Sequence, residues 1–170
     1  GKAAARDFWQ PPKGASEFIE VPGIVGRAQY VLDHLEEWMG PEPRDVDPGA
    51  LADTRAFIRQ EPKGVVGNIV PWNFPIDIAI GPLAEMLGAG NRVIIKPSEY
   101  APACAALVAE MIAATFDRDL VHVAVGGLDL SRAFAATPWD HLLYTGSPDV
   151  GRQVMAAAAQ NLTPVTLELG

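Results

Sequence analysis

The sequence predicts an α/β protein built on a Rossmann-like, doubly wound, parallel five-stranded sheet. Three observations carry this. Short runs rich in Val, Ile and Leu recur at 65–70, 93–96, 121–125, 142–145 and 165–169, each the length of a buried strand. Stretches of helical period at about 76–88, 101–116, 128–136 and 148–160 separate them, and each is long enough for a crossover between parallel strands. The corners hold Pro, Gly, Asn and Ser, residues that end strands or start helices.

Residues 1–16, with Pro11-Pro12-Lys13-Gly14, show no period and read as a loose arm. From about Glu17 the spacing turns helical. Val31, Leu32, Leu35, Trp38 and Met39 form an apolar stripe beside Asp33, Glu36 and Glu37. Pro22-Gly23 kinks that helix or delays its start, and Gly40-Pro41-Glu42-Pro43 stops it. Residues 41–50 read as a linker, and Ala52 to Gln60 as a short exposed strand turned by Glu61-Pro62-Lys63-Gly64. The organisation is therefore arm, helix and linker over 1–50, a strand within 51–64, and the sheet domain over 65–170. Within the domain, Val65 to Val70 ends at Pro71-Trp72-Asn73-Phe74-Pro75, where two prolines make a stiff corner. Alanine-rich Met155 to Ala159 is good helix, and there is no internal repeat.

A chain of 170 residues suffices for one domain with appendages. A net charge of -8 and a pI near 4.8 argue against nucleic acid or an anionic membrane as the main partner. An acidic chain still binds a dinucleotide through backbone N–H groups. One cysteine excludes an internal disulfide, and with three scattered histidines it makes no zinc pattern. The N-terminus lacks signal-peptide order and no apolar run approaches about 18 residues, so a cytoplasmic setting is expected.

In open parallel sheets, ligands bind at the carboxyl edge. Asn73 at the first strand's end is a neutral donor suited to a developing oxyanion, or an Asx turn serving its own backbone. After the second strand, Lys96 can donate to ribose hydroxyls and Glu99 can accept from them. Alternatively they are a snorkelling lysine and a first-turn carboxylate. Gly126-Gly127 after the third strand lets a planar ring approach the backbone. Gly146-Ser147 after the fourth opens a helix whose N-terminus suits a pyrophosphate, although the spacing to Gly151 is not GxGxxG and Ser147 is also an ordinary N-cap. Glu168 ends the fifth strand as a base or as a solvated carboxylate. Cys104, within apolar Ala103 to Val108, reads as an inert buried thiol.

Glu61-Pro62-Lys63-Gly64, the Pro71–Pro75 corner, Gly90-Asn91, Lys96-Pro97-Ser98-Glu99, Tyr144-Thr145-Gly146-Ser147, Gly151-Arg152 and Thr166-Leu167-Glu168-Leu169-Gly170 occur in an order that resembles the cofactor domain of aldehyde dehydrogenases. Trp38-Met39, His141 to Ser147 and Asn161 to Thr166 resemble most the coniferyl-aldehyde branch of that family. The resemblance implies oxidation of an aldehyde, aromatic in that branch, to a carboxylic acid with NAD, or NADP, through a cysteine thiohemiacetal. It makes 65–170 an incomplete NAD(P)-binding domain. Cofactor contacts are implied for Ile69, Val70, Pro71 and Trp72 from the first strand end, and for Lys96, Ser98 and Glu99 from the second. Gly126 and Gly127 are expected beside the adenine, and Thr145, Gly146, Ser147 and Val150 are implied from the fourth strand end. Asn73 would hold the oxyanion, and Glu168 would be the general base once partial desolvation raised its pKa. Glu99 would repel a 2'-phosphate and favour NAD, while swinging away would admit NADP. The 52–60 strand would belong to an oligomerisation sheet of a homodimer or homotetramer. The chain is expected to be part of a longer dehydrogenase whose nucleophile lies outside it. The alternative is a non-catalytic dinucleotide-binding module or partner subunit.

Overall fold

A computed structural model describes residues 2–8, 20–47, 49–50 and 53–170. Pro11-Pro12-Lys13-Gly14, the onset of helical spacing at Glu17, and Leu51-Ala52 lie outside the described residues. The elements run α1 (Lys2–Asp7), α2 (Val21–Met39), β1 (Glu42–Arg44), β2 (Ala56–Ile58), β3 (Val65–Ile69), α3 (Asp77–Gly88), β4 (Arg92–Lys96), α4 (Pro102–Thr115), β5 (Val121–Val123), α5 (Leu128–Ala135), β6 (His141–Gly146), α6 (Pro148–Ala159) and β7 (Val165–Leu169).

β3 to β7 form one parallel sheet in the order β5-β4-β3-β6-β7. Apolar residues alternate between its faces. Val70, Val93, Ile95, Val121 and Val123 pack with Ala79 and Leu83 of α3 and with Val108 and Ile112 of α4. On the other face Leu142 and Tyr144 pack with Phe134 of α5, Trp139, and Val154 and Ala158 of α6. Helices on both faces of an open parallel sheet make the doubly wound architecture that the sequence predicts.

Two expectations for the amino-terminal part are corrected. Where a loose arm is expected, residues 2–7 form α1. Six residues do not hold a helix alone, and the support comes from α4. The Asp7 carboxylate accepts the N–H of Ala103 at 3.0 Å and of Cys104 at 2.7 Å, and Ala4 packs on Ala101 and Cys104. Ala101 offers α4 no side-chain cap, so Asp7 caps it from the other end of the chain. Where a linker is expected, Glu42–Arg44 is a strand pairing antiparallel with β2, with Pro43 opposite Phe57. β2 itself is shorter than the expected 52–60 strand.

α2 runs Val21–Met39 with Pro22 in its first turn, and Glu20 before it already has right-handed helical backbone angles. The helix packs on α3, where Glu20 accepts the Asp77 N–H at 3.2 Å and Arg27 pairs with Asp77 at 3.4 Å. At the amino edge of the sheet Gly64 has φ +127°, and a Cβ there would collide with the Asp140 carboxylate. That carboxylate accepts the Val65 N–H at 2.7 Å, tying the entry of β3 to that of β6. Among the described residues no helix is long and apolar enough to cross a membrane.

Candidate functional site

The sheet order places β4 on one side of β3 and β6 on the other, so the crossovers diverge between β3 and β6 and leave a crevice at their carboxyl ends. A cleft of about 480 Å³ lies there. Pro71, Trp72 and Asn73 line it from the corner after β3, Thr145, Gly146 and Ser147 from the end of β6, and Glu168 from β7. Glu168 reaches it because β7 pairs with β6 in a register that sets Glu168 opposite Thr145. Residues far apart in sequence are thus brought to one opening.

Asn73 is exposed, and among the described residues its carboxamide makes no hydrogen bond. This removes the Asx-turn alternative and leaves a donor free. Trp72 is 53% exposed with its ring 6.3 Å from that of Phe8, just after α1. Glu168 is exposed too. Val70 is buried in the core, so its side chain cannot face a ligand, and Ile69 packs towards the α5–α6 face.

Lys96, Ser98, Glu99, Gly126 and Gly127 do not line this cleft; they lie at the adjoining β4 and β5 ends of the same edge. Lys96 is 1% exposed. Its Nζ donates to the Pro97 carbonyl at 2.7 Å and meets Glu99 Oε2 at 3.5 Å. Burial holds the Lys96 pKa below its ordinary value, and Glu99 pulls the other way. This ammonium does not snorkel; it is a desolvated donor held at the strand end. Ser98 Oγ accepts the Tyr100 N–H at 3.2 Å, which leaves its own proton to donate. A Cβ on Gly126 would press on Leu130 whereas Gly127 faces open space, so Gly127 is the one a ring can approach.

Ser147 caps α6 by accepting the Val150 N–H at 3.4 Å, and Val150 itself is exposed. Pro148 follows and has no N–H. This turn therefore offers a phosphate fewer donors than an ordinary helix start, with the Asp149 N–H left among the described residues. Tyr144, part of the Tyr144-Thr145-Gly146-Ser147 motif but with no site role expected of it, shapes this turn. Its hydroxyl donates to the Ser147 carbonyl at 3.2 Å, and a Cβ on Gly146 would collide with it. Strand alternation marks Tyr144 as inward-facing but carries no sign of where the phenol ends. Asp7 likewise leaves no sequence signal, because its partners are brought to it by folding. Cys104 is fully buried, and burial with the nearby Asp7 pushes its thiol up to about 12, so it is no nucleophile.

The aldehyde dehydrogenase family model matches residues 11–170. A coniferyl aldehyde dehydrogenase of Pseudomonas sp. is 42% identical over 169 residues, covering 99% of this chain and 34% of that protein. The Staphylococcus aureus AldH structure in a substrate-bound state superposes with TM-score 0.93 at 33% identity, over 99% of this chain and 36% of that one. The Mycobacterium tuberculosis aldehyde dehydrogenase complexed with NAD+ gives 0.84 at 33% identity, over 99% and 34%. The chain thus spans about a third of the length of the relatives it matches. With a sheet whose crevice carries the corner after β3 and Glu168, and a family model that covers nearly all of it, this chain belongs to the aldehyde dehydrogenase family.

Proposed function

We propose that the full-length protein oxidises an aldehyde, of the aromatic coniferyl-aldehyde type, to the carboxylic acid with NAD, and that this segment supplies the cofactor edge, the oxyanion donor and the base. The observation that carries the reading is the cleft that Asn73 and Glu168 share with the end of β6. The free Asn73 carboxamide, on a corner held by two prolines, donates to the carbonyl oxygen as negative charge develops there. Glu168, exposed at the cleft, takes a proton from the attacking water. Bound NAD supplies the hydride acceptor. Lys96 and Glu99 fit an adenosine ribose as donor and acceptor, and the Glu99 charge favours NAD over a 2'-phosphorylated cofactor. Gly127 leaves room for the adenine, and Ser147 with the Asp149 N–H faces the pyrophosphate. The domain division at about residue 65, assembly as a dimer or tetramer and a cytoplasmic setting belong to the same proposal. Exposed Phe57 and Ile58 on β2 support the assembly.

The test is Asn73→Ala in the full-length protein. Turnover of an aromatic aldehyde falls about 10²- to 10³-fold, the loss typical of one oxyanion donor, while NAD affinity holds. Unchanged kcat sinks the assignment.

A further inference from the structure

Asn68 is a buried polar residue that neither the sheet nor the cleft explains. It lies in β3 between Ile95 of β4 and Leu143 of β6 and is 0% exposed. Its Nδ2 donates to the Ile78 carbonyl at 3.2 Å, and its Oδ1 has no partner among the described residues. A half-satisfied carboxamide in a core costs stability, so its retention calls for a reason. α3 supplies one, because it carries Pro82 in its interior. In an α-helix the Ile78 carbonyl accepts from the residue four positions on, and here that residue has no N–H. Asn68 provides the donor that Pro82 removes. A helix-internal bond has become a bond from strand to helix.

The place of that bond matters. Asn68 precedes the Pro71–Pro75 corner and Ile78 follows it, while the Ile78 N–H donates to the Phe74 carbonyl at 3.1 Å. Both ends of the corner are therefore tied through Ile78, which lines the cleft beside Asn73. Asn73 itself has no hydrogen bond among the described residues to hold it. We propose that Asn68 is a positioning residue: by replacing the N–H missing at Pro82 it braces α3 against β3 and fixes Asn73 in the cleft. The catalytic consequence rests on Asn73 being the oxyanion donor; the brace does not.

The variants Asn68→Ala, Pro82→Ala and their combination, in the full-length protein, separate bracing from mere satisfaction of a carbonyl. Asn68→Ala lowers the thermal midpoint and speeds amide hydrogen exchange at Ile78, whose N–H donates to the Phe74 carbonyl, about tenfold or more, the scale of one buried hydrogen bond. Adding Pro82→Ala returns a helical N–H to the Ile78 carbonyl and recovers the midpoint. Exchange at Ile78 stays fast and kcat stays low, with KM for NAD unchanged. If exchange at Ile78 ignores Asn68→Ala, or returns to the parent rate in the double variant, the proposal is overturned. Should the single variant not fold, the double variant decides by the same readout. Unchanged kcat in Asn73→Ala would remove the catalytic consequence and leave the exchange measurement to judge the brace.

Discussion

At the β4 end of the carboxyl edge, Lys96 is 1% exposed and its ammonium is met by Glu99 and the Pro97 carbonyl. At the β3–β6 end, Asn73 and Glu168 are exposed and their side-chain polar atoms make no hydrogen bond among the described residues. One end holds its charged groups in place before a ligand arrives, at the expense of desolvating a lysine. The other keeps donor and acceptor free on a backbone made rigid by prolines. Preorganisation is thus in the side chains at the first end and in the main chain at the second. Substitutions should act differently at the two.

The largest effect that would break this contrast comes from Lys96→Met, which keeps the volume and removes the charge. NAD affinity should fall about tenfold or more, roughly 1.4 kcal/mol, and the thermal midpoint should fall modestly with it, because the Pro97 carbonyl and the Glu99 carboxylate lose the ammonium that meets them. Titration calorimetry beside a melting curve reads both, and a fall in midpoint with affinity intact would reverse the reading. Asp7→Ala comes next. It uncaps α4 from a distance and should cost about 1 kcal/mol of stability, with faster exchange at Ala103 and Cys104 and no change at Gly151, whose N–H donates to the Ser147 carbonyl. Loss of protection at Gly151 as well would show that the two ends do not respond independently.

The smallest effect concerns His141, whose ring faces Thr166 at 2.8 Å and whose pKa is lowered by burial and then by Lys63. A folded pKa below the unfolded one means that the unfolded chain binds the proton first as pH falls. Stability from this group is complete above about 6.5 and declines as pH drops below that value. The difference in midpoint between the parent and His141→Gln should therefore shrink on acidification from pH 7.5 to 5. A constant difference would refute the assignment.

Much of the fold is visible along the chain because periodicity reports which face of an element is apolar. Five strands and four helices of the sheet domain stand within a few residues of where Val65–Val70, Val121–Val125 and the intervening stretches place them. α1 and β1 leave no signal in the sequence for one reason: neither is stable by itself. α1 exists because α4 needs Asp7, and β1 because Pro43 can lie opposite Phe57. Short elements held by partners elsewhere in the chain carry no local period.

The site divides in the same way. Sequence alone determined that Asn73, Lys96, Glu99, Gly146 and Glu168 stand at strand ends, since a proline corner, a glycine or a change of period marks each one. Only the tertiary structure decided which ends are neighbours. The order β5-β4-β3-β6-β7 and the pairing of Thr145 with Glu168 put Asn73 and Glu168 at one cleft and keep Lys96 outside it. The same applies to Asn68 and Pro82, which read as unrelated residues until the strand brings a carboxamide to the carbonyl that the proline leaves unpaired. Strand order and long-range hydrogen bonds depend on how helices pack across both faces of the sheet, and that packing is a property of the whole chain rather than of any segment.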